Sequence, residues 1–284
     1  MNKLKKFIRK FGGYRLQNLI IWFLIKLKIN NKIILFSTQK ALPNRVNINY
    51  WNGAKNLGDA ISPVIVDFAA KYHGIDVNKP VSKTKHLYAV GSVITAGCQD
   101  CTVWGSGLLN AKILSRLNNR TLDVRSVRGP VTKMILNEYG YQVPAVYGDP
   151  AILMPMIYNP EVEKKYEVSV ITHMNEELFP EYHQISITTD DYEAFVREIK
   201  ASKLIVSSSL HGIIFAESYG VPAILLRPNM DVLKYYDYYY GTGRLTFPIC
   251  QSLEDAKNLT PPPIPDFSAM REGLLAAFPT DLWE

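Results

Sequence analysis

Between Ser207 and Gly212 the chain reads Ser-Ser-Ser-Leu-His-Gly, and an apolar helical run follows. A buried core has no use for three hydroxyls and an imidazole placed side by side; an anion site does. Lys203–Val206 has the β-branched character of a strand, and the helical pattern begins near Gly212. Ser207, Ser208 and Ser209 therefore fall at loop and cap positions. A helix start offers unpaired N–H groups and partial positive charge, which favour phosphate or carboxylate. His211 stands in the same loop and titrates near neutral pH, so it can serve as a general acid toward a bound anion. The same residues also suit an ordinary N-cap with a surface histidine.

Three other loops carry residues of this kind. Asn56, Gly58 and Asp59 precede a helix in Asn-Leu-Gly-Asp. Gly58 permits close backbone approach, and Asp59 can either cap that helix or take a proton from a hydroxyl. Ser126 and Arg128 lie in Ser-Val-Arg-Gly-Pro at a strand end. Arg128 suits a bidentate grip on carboxylate or phosphate, or else a surface ion pair. Gly148 and Asp149 read as a structural turn. The segment 234–244 has five tyrosines among its eleven residues. There Lys234, Tyr236, Asp237 and Tyr238 could hold a sugar, or the segment could be a packed loop.

The elements that must position these residues alternate between short β-branched runs and longer amphipathic ones. Strands are predicted at 32–38, 46–51, 86–92, 102–107, 122–129 and 144–152, then at 167–174, 183–189, 203–209 and 221–228. Helices are predicted at 62–74, from Pro130, from Asp190 or Asp191 through Lys200, at 212–219, and at 267–278. This alternation means an α/β fold with largely parallel sheets, in which ligands bind beyond the carboxyl ends of the strands. Pro150, Pro155 and Pro160 separate two series of about equal length. The organisation expected is a basic segment over 1–40, a Rossmann-like domain over 41–154 and a second over 155–284.

Charge is unevenly placed. Residues 1–58 hold 12 Lys or Arg and no acid, while the rest of the chain holds 20 bases and 26 acids. A folded domain with a negative balance argues against nucleic acid as a partner. The longest apolar run near the start, Leu19–Ile25, is far below the ~20 residues of a spanning helix. Its aromatic residues flanked by Lys26 and Lys28 suit either an interfacial helix on an anionic membrane or a helix packed on the chain's own core. Cys98 and Cys101 have Cys-x-x-Cys spacing without a second pair, which reads as free thiols rather than a zinc or redox site. No ligand set for a metal is expected.

Taken in order, the four loops read N-x-G-D, S-x-R-G-P, G-D-P-A and S-x-x-H-G-x-x-x-A-x-x-x-G-x-P over roughly residues 50–228. This order resembles the polysaccharide pyruvyl transferase family, in its exopolysaccharide and capsule branch. The resemblance implies two domains in a GT-B-like arrangement. It also implies phosphoenolpyruvate as donor, with no other cofactor, and a cyclic pyruvate ketal on a lipid-linked glycan as product. The place of action would be the inner face of the cytoplasmic membrane. His211 matches the family's catalytic histidine, Asp59 the acid of its first glycine loop, and Arg128 the arginine expected to hold the donor. Asn56, Gly58, the three serines and Gly212 would line the donor. Many members carry Arg two places before the histidine, where this chain has Ser209. A donor with phosphate and carboxylate calls for a second cation. Arg227 is the nearest candidate by topology, with Lys234 and Arg244 as others. A GT-B glycosyltransferase using a sugar nucleotide would share the fold, and a non-catalytic glycan-binding subunit would share the binding loops.

Overall fold

The computed structural model describes residues 41–284 except Cys98, Asn119, Asn175, Glu177 and Leu178, together with Leu19 alone among the first forty. The expectations for residues 1–40, including the strand at 32–38, lie outside the described residues, as does Cys98. The chain is α/β, as its alternation predicts, and carries two parallel sheets. The first has the order β1 (Val46–Asn49), β2 (Lys85–Tyr88), β3 (Cys101–Trp104), β4 (Leu122–Ser126). The second has the order β6 (His183–Gln184), β5 (Tyr166–Ile171), β7 (Ser202–Ser207), β8 (Ala223–Leu226), β9 (Ile249–Cys250). Every strand pair is parallel. β3 and β8 are buried at every position, the pattern of strands covered on both faces.

The helices follow from local chemistry. Asn56 caps α1 (Leu57–Ala60) by accepting from the Gly58 N–H. α2 (Ser62–Tyr72) has Pro63 in its first turn and ends before Gly74 at φ +71°. α3 (Pro130–Glu138) starts at its proline. Asp191 caps α4 (Tyr192–Ala201) by accepting from the Ala194 N–H. α5 (Leu210–Ser218) is buried along nearly its whole length. α6 (Leu233–Gly241) is the tyrosine-rich stretch, a helix rather than a loop. α7 (Ser268–Ala276) closes the series.

Two expected strands are much reduced. The segment 144–152 contributes one bridge, Val127 with Tyr147, before a 3-10 turn at Pro150–Leu153. The segment 183–189 pairs only through His183 and Gln184 at the sheet edge. Pairing reaches Val170, one residue before β5 ends at Ile171, and alternation in sequence cannot register where a partner strand stops.

The segments before and after residue 155 share a core. One hydrophobic cluster joins Leu57, Ile61 and Ile65 with Ile213, Phe215 and Tyr235. The tail also returns to the first sheet. Trp104 Nε1 donates to the Leu274 carbonyl at 2.7 Å, and Arg125 pairs with Asp281 at 2.8 Å.

The tightest joint between the halves is α6 against the start of α3. Arg128 Nε donates to Asp237 Oδ2 at 3.1 Å, and both side chains are 0% exposed. Asp237 also accepts from the Thr132 N–H at 2.8 Å and its hydroxyl at 2.7 Å. A Cβ on Gly129 would overlap the Asp237 carbonyl, so only glycine allows this approach. Asp237→Ala would leave a buried guanidinium without its counter-charge, and a loss of about 3–5 kcal/mol in denaturant unfolding is expected. Combined with Arg128→Met, the losses should fall short of their sum. Fully additive losses would show that the pair does not act as a unit.

Candidate active site

The carboxyl ends of the strands carry the loops of interest. Gly91 follows β2, Arg128 follows β4, His173 follows β5 and Ser208 follows β7. The helix begins two residues earlier than the sequence suggests, which takes His211 out of the loop. α5 begins at Leu210 with Ser209 as N-cap, so the imidazole sits in the first helical turn. A Cβ on Gly58 would overlap the His211 ring. Gly91, at φ +87°, faces the ring from another side. A Cβ there would stand 3.5 Å from His211 Cε1 and 3.2 Å from Asp59 Oδ1. Two glycines of the first half thus make room for a histidine of the second.

Asp149 completes the cluster. Its Oδ2 lies 3.8 Å from His211 Nε2 and accepts from the Gly91 N–H at 3.2 Å. Its Oδ1 accepts from the Ala151 N–H at 3.1 Å. His211 Nε2 is buried and makes no hydrogen bond. Asp59 Oδ2 accepts from Asn56 Nδ2 at 2.9 Å, which fixes the carboxyl at the mouth of α1.

The electrostatics set these groups apart from ordinary surface residues. Burial, reinforced by Lys234, Arg128 and His173, drives His211 down to about 3, so its ring is neutral. Burial pushes Asp59 up to about 7, opposed by the Lys234 charge and aided by that of Asp149. Asp149 is raised to about 6 by burial, against Arg128 and its two backbone donors. Lys234 is lowered to about 8 by burial and then by Arg128, while Asp59 and Glu176 oppose the fall. Strongly displaced titrations of this kind collect where proton transfer is carried out.

The other predicted residues divide. Arg128 is fully engaged: besides Asp237 it donates to Ser92 Oγ at 2.6 Å and to the Leu108 carbonyl at 2.9 Å. Ser207 is buried and donates to the Ile171 and Ser209 carbonyls, which shapes the turn into α5. A Cβ on Gly212 would collide with its hydroxyl. Ser208 Oγ donates to the Glu176 carboxylate, which also accepts from the Asn229 N–H at 2.9 Å. Ser209 makes no side-chain capping bond. Arg227 is exposed and bonded to Gln251, so the structure does not bring it to His211. Arg244 is held by Glu217 at 2.5 and 2.8 Å. Asp237 and Tyr238 are interior, the first on Arg128 and Thr132, the second donating to Glu217 at 2.6 Å; neither is open to a sugar. Tyr236 is half-buried and packs edge-on against Tyr240 and Phe247. Lys234 is buried rather than on an acceptor surface. Cys101 is buried and raised to about 11, chiefly by burial, which makes it a thiol rather than a nucleophile or ligand.

Residues 56–229 match the family model of polysaccharide pyruvyl transferases, a span that opens on Asn56 and includes Asp59, Arg128, Asp149 and His211. The chain belongs to the polysaccharide pyruvyl transferase family. Membership places it among transferases of polysaccharide biosynthesis. It is also 29% identical over 212 residues to an uncharacterized protein of Acanthamoeba polyphaga mimivirus, covering 68% of this chain and 73% of that one. Among the described residues no helix is long and apolar enough to cross a membrane.

Sequence reasoning missed Asp149, which reads as a turn-former, and Gly91, which lies in no motif. The Gly-Asp-Pro-Ala run was the one available signal for Asp149, and no motif marks Gly91.

The displaced titrations give a pH signature of opposite signs. Folded Asp59 keeps its proton up to about 7 where the unfolded side chain releases it near 4, so its ionisation costs stability as pH rises through that window. Folded His211 refuses a proton that the unfolded side chain accepts near 6.5, so its cost appears as pH falls below that value. Asp59→Asn should therefore raise Tm relative to the parent more at pH 8 than at pH 4.5. His211→Gln should do the reverse, with swings on the order of 5 °C. Parallel shifts at both pH values would show ordinary titration for both groups.

Proposed function

We propose that this cleft moves the pyruvyl group of phosphoenolpyruvate onto two hydroxyls of one sugar in a glycan precursor, closing a cyclic ketal. The observation that carries the reading is the convergence of His211, Asp59 and Asp149 on Gly91, at the start of a buried helix. A neutral imidazole at an anion-favouring helix terminus becomes a proton donor only when negative charge arrives beside it. Phosphoenolpyruvate brings that charge in its phosphate and carboxylate.

In this scheme His211, protonated in the presence of the bound donor, gives its proton to the methylene carbon of the enol. The adjacent carbon becomes oxocarbenium-like, and one sugar hydroxyl forms a C–O bond to it. Phosphate departs with the electron pair of its C–O bond, and the second hydroxyl attacks the same carbon. Asp59, raised close to neutral pH, is suited to accept the hydroxyl protons as they are lost. Asp149, 3.8 Å from Nε2, is placed to pair with the ring once it is charged. Arg128 acts through the framework: its engaged nitrogens fix Ser92, the residue after Gly91. The basic, aromatic start of the sequence fits a lipid-linked acceptor at an anionic membrane face.

Calorimetric titration with phosphoenolpyruvate and with sugar nucleotides separates this reading from glycosyl transfer. The donor should bind and the nucleotides should not. With a panel of synthetic lipid-linked glycosides, His211→Gln should bind phosphoenolpyruvate nearly as well as the parent yet lose turnover by about 10²–10⁴-fold, read from product mass. Binding of a sugar nucleotide in place of phosphoenolpyruvate would sink the proposal.

A further inference from the structure

The loop after β3 belongs to no motif described above, yet it grips the turn that faces His211. Gly105–Gly107 passes close to Pro150, Arg128 and Gly91. A Cβ on Gly105 would overlap the Pro150 ring, and one on Gly107 would overlap the Arg128 guanidinium. Ser106, between them, is 0% exposed. Its hydroxyl donates to the Gly91 carbonyl at 3.0 Å and accepts from the Val93 N–H at 3.2 Å. Its own carbonyl accepts from the Arg128 N–H at 3.2 Å. One buried side chain thus clasps both ends of the Gly91–Val93 turn.

The rest of that turn is held as firmly. The Gly91 carbonyl also accepts from the Gly107 N–H at 2.9 Å, the Gly91 N–H donates to Asp149 at 3.2 Å, and the Ser92 hydroxyl accepts from Arg128 at 2.6 Å. A Cβ on Gly91 would stand 3.5 Å from His211 Cε1 and 3.2 Å from Asp59 Oδ1, so its backbone is a wall beside both groups. Its N–H also holds the carboxylate that stands 3.8 Å from His211 Nε2. A shift of the Gly91 peptide would therefore move the wall and the counter-charge of the imidazole together. A hydroxyl suits the post because it donates and accepts at once. Without it, the Gly91 carbonyl keeps the Gly107 N–H, but the buried Val93 N–H loses its acceptor, and the turn must move or bear that cost.

We infer that Ser106 is a positioning residue of the active site, which sets the Gly91 peptide against His211 and Asp59. It touches no reacting atom. Its effect on rate rests on the pyruvyl-transfer reading; its effect on the ring does not.

The test compares two buried hydroxyls. Ser202 is also 0% exposed and makes two bonds, to Ser169 Oγ at 2.6 Å and to the Glu198 carbonyl at 2.9 Å, at the amino end of β7. Ser106→Ala and Ser202→Ala should both lower Tm. In protein with isotope-labelled histidine rings, with His211→Gln to assign the His211 signals, Ser106→Ala should shift the ring nitrogen and Hε1 signals of His211 and Ser202→Ala should not. With phosphoenolpyruvate and a lipid-linked glycoside, Ser106→Ala should lower kcat roughly 10–100-fold at nearly unchanged KM, as for a small misplacement of reacting groups. A further measurement needs no variant: in the parent, the Gly91 and Val93 amides should exchange with solvent only through global unfolding. His211 signals unmoved in Ser106→Ala, equal shifts in Ser202→Ala, an unchanged kcat, or exchange of the two amides by local opening would each overturn the assignment and leave pyruvyl transfer standing. A parent that forms no ketal from phosphoenolpyruvate would instead remove the underlying reading, and the ring signals and amide exchange would still decide the role of Ser106.

Discussion

The buried pair of Arg128 and Asp237 ties the two halves of the chain together beside the cleft. Arg128 ends the last strand of the first sheet, and Asp237 lies on a helix of the second half. Their contact, with Thr132 and the close approach at Gly129, fixes α6 against α3. The site draws from both halves. Asp59, Gly91 and Ser92 come from the first, Asp149 from the junction, and His211 from the second. A small rotation at this joint would part the His211 ring from its two glycines. Burying a salt bridge seldom adds net stability, since desolvation offsets most of the Coulombic gain. Here the pair's value is geometric: its bonds to Thr132 and across the joint tie α6 to the start of α3.

The electrostatics of the cleft follow from that arrangement. Withdrawal from water holds the imidazole neutral and raises Asp59 to about 7. Each displaced titration carries a cost in the folded protein. Donors and charges already in place need no reorganisation when charge develops on the substrate, which is the main source of electrostatic catalysis. In the proposed reaction, the neutrality of His211 before the donor arrives would be part of the chemistry, since the ring would gain its acidity only beside the molecule to be protonated.

Much of this was legible in the sequence. The alternation of strands and helices yields two parallel sheets, and the triple serine before His211 does precede a helix whose first turn enters the cleft. Asp59 was marked by its glycine loop. Other features depend on distant contacts that no spacing encodes. Arg128 looks suited to a substrate because its partner Asp237 is 109 positions away. Asp149 looks like a turn because its role exists only when His211 lies against it. The tyrosines of 235–240 mask a helical period, since aromatic residues fall on both its buried and half-buried faces.

Pyruvyl transfer with protonation of an enol leaves a mark that no glycosyl transfer or simple binding can produce. The direct measurement is to run the reaction in deuterated water with unlabelled phosphoenolpyruvate and a lipid-linked glycoside, and to read the product by mass and by the NMR signal of its ketal methyl group. This account predicts one solvent-derived deuteron in that methyl group per turnover. A ketal methyl free of solvent label, or a product that lacks pyruvate, would contradict it.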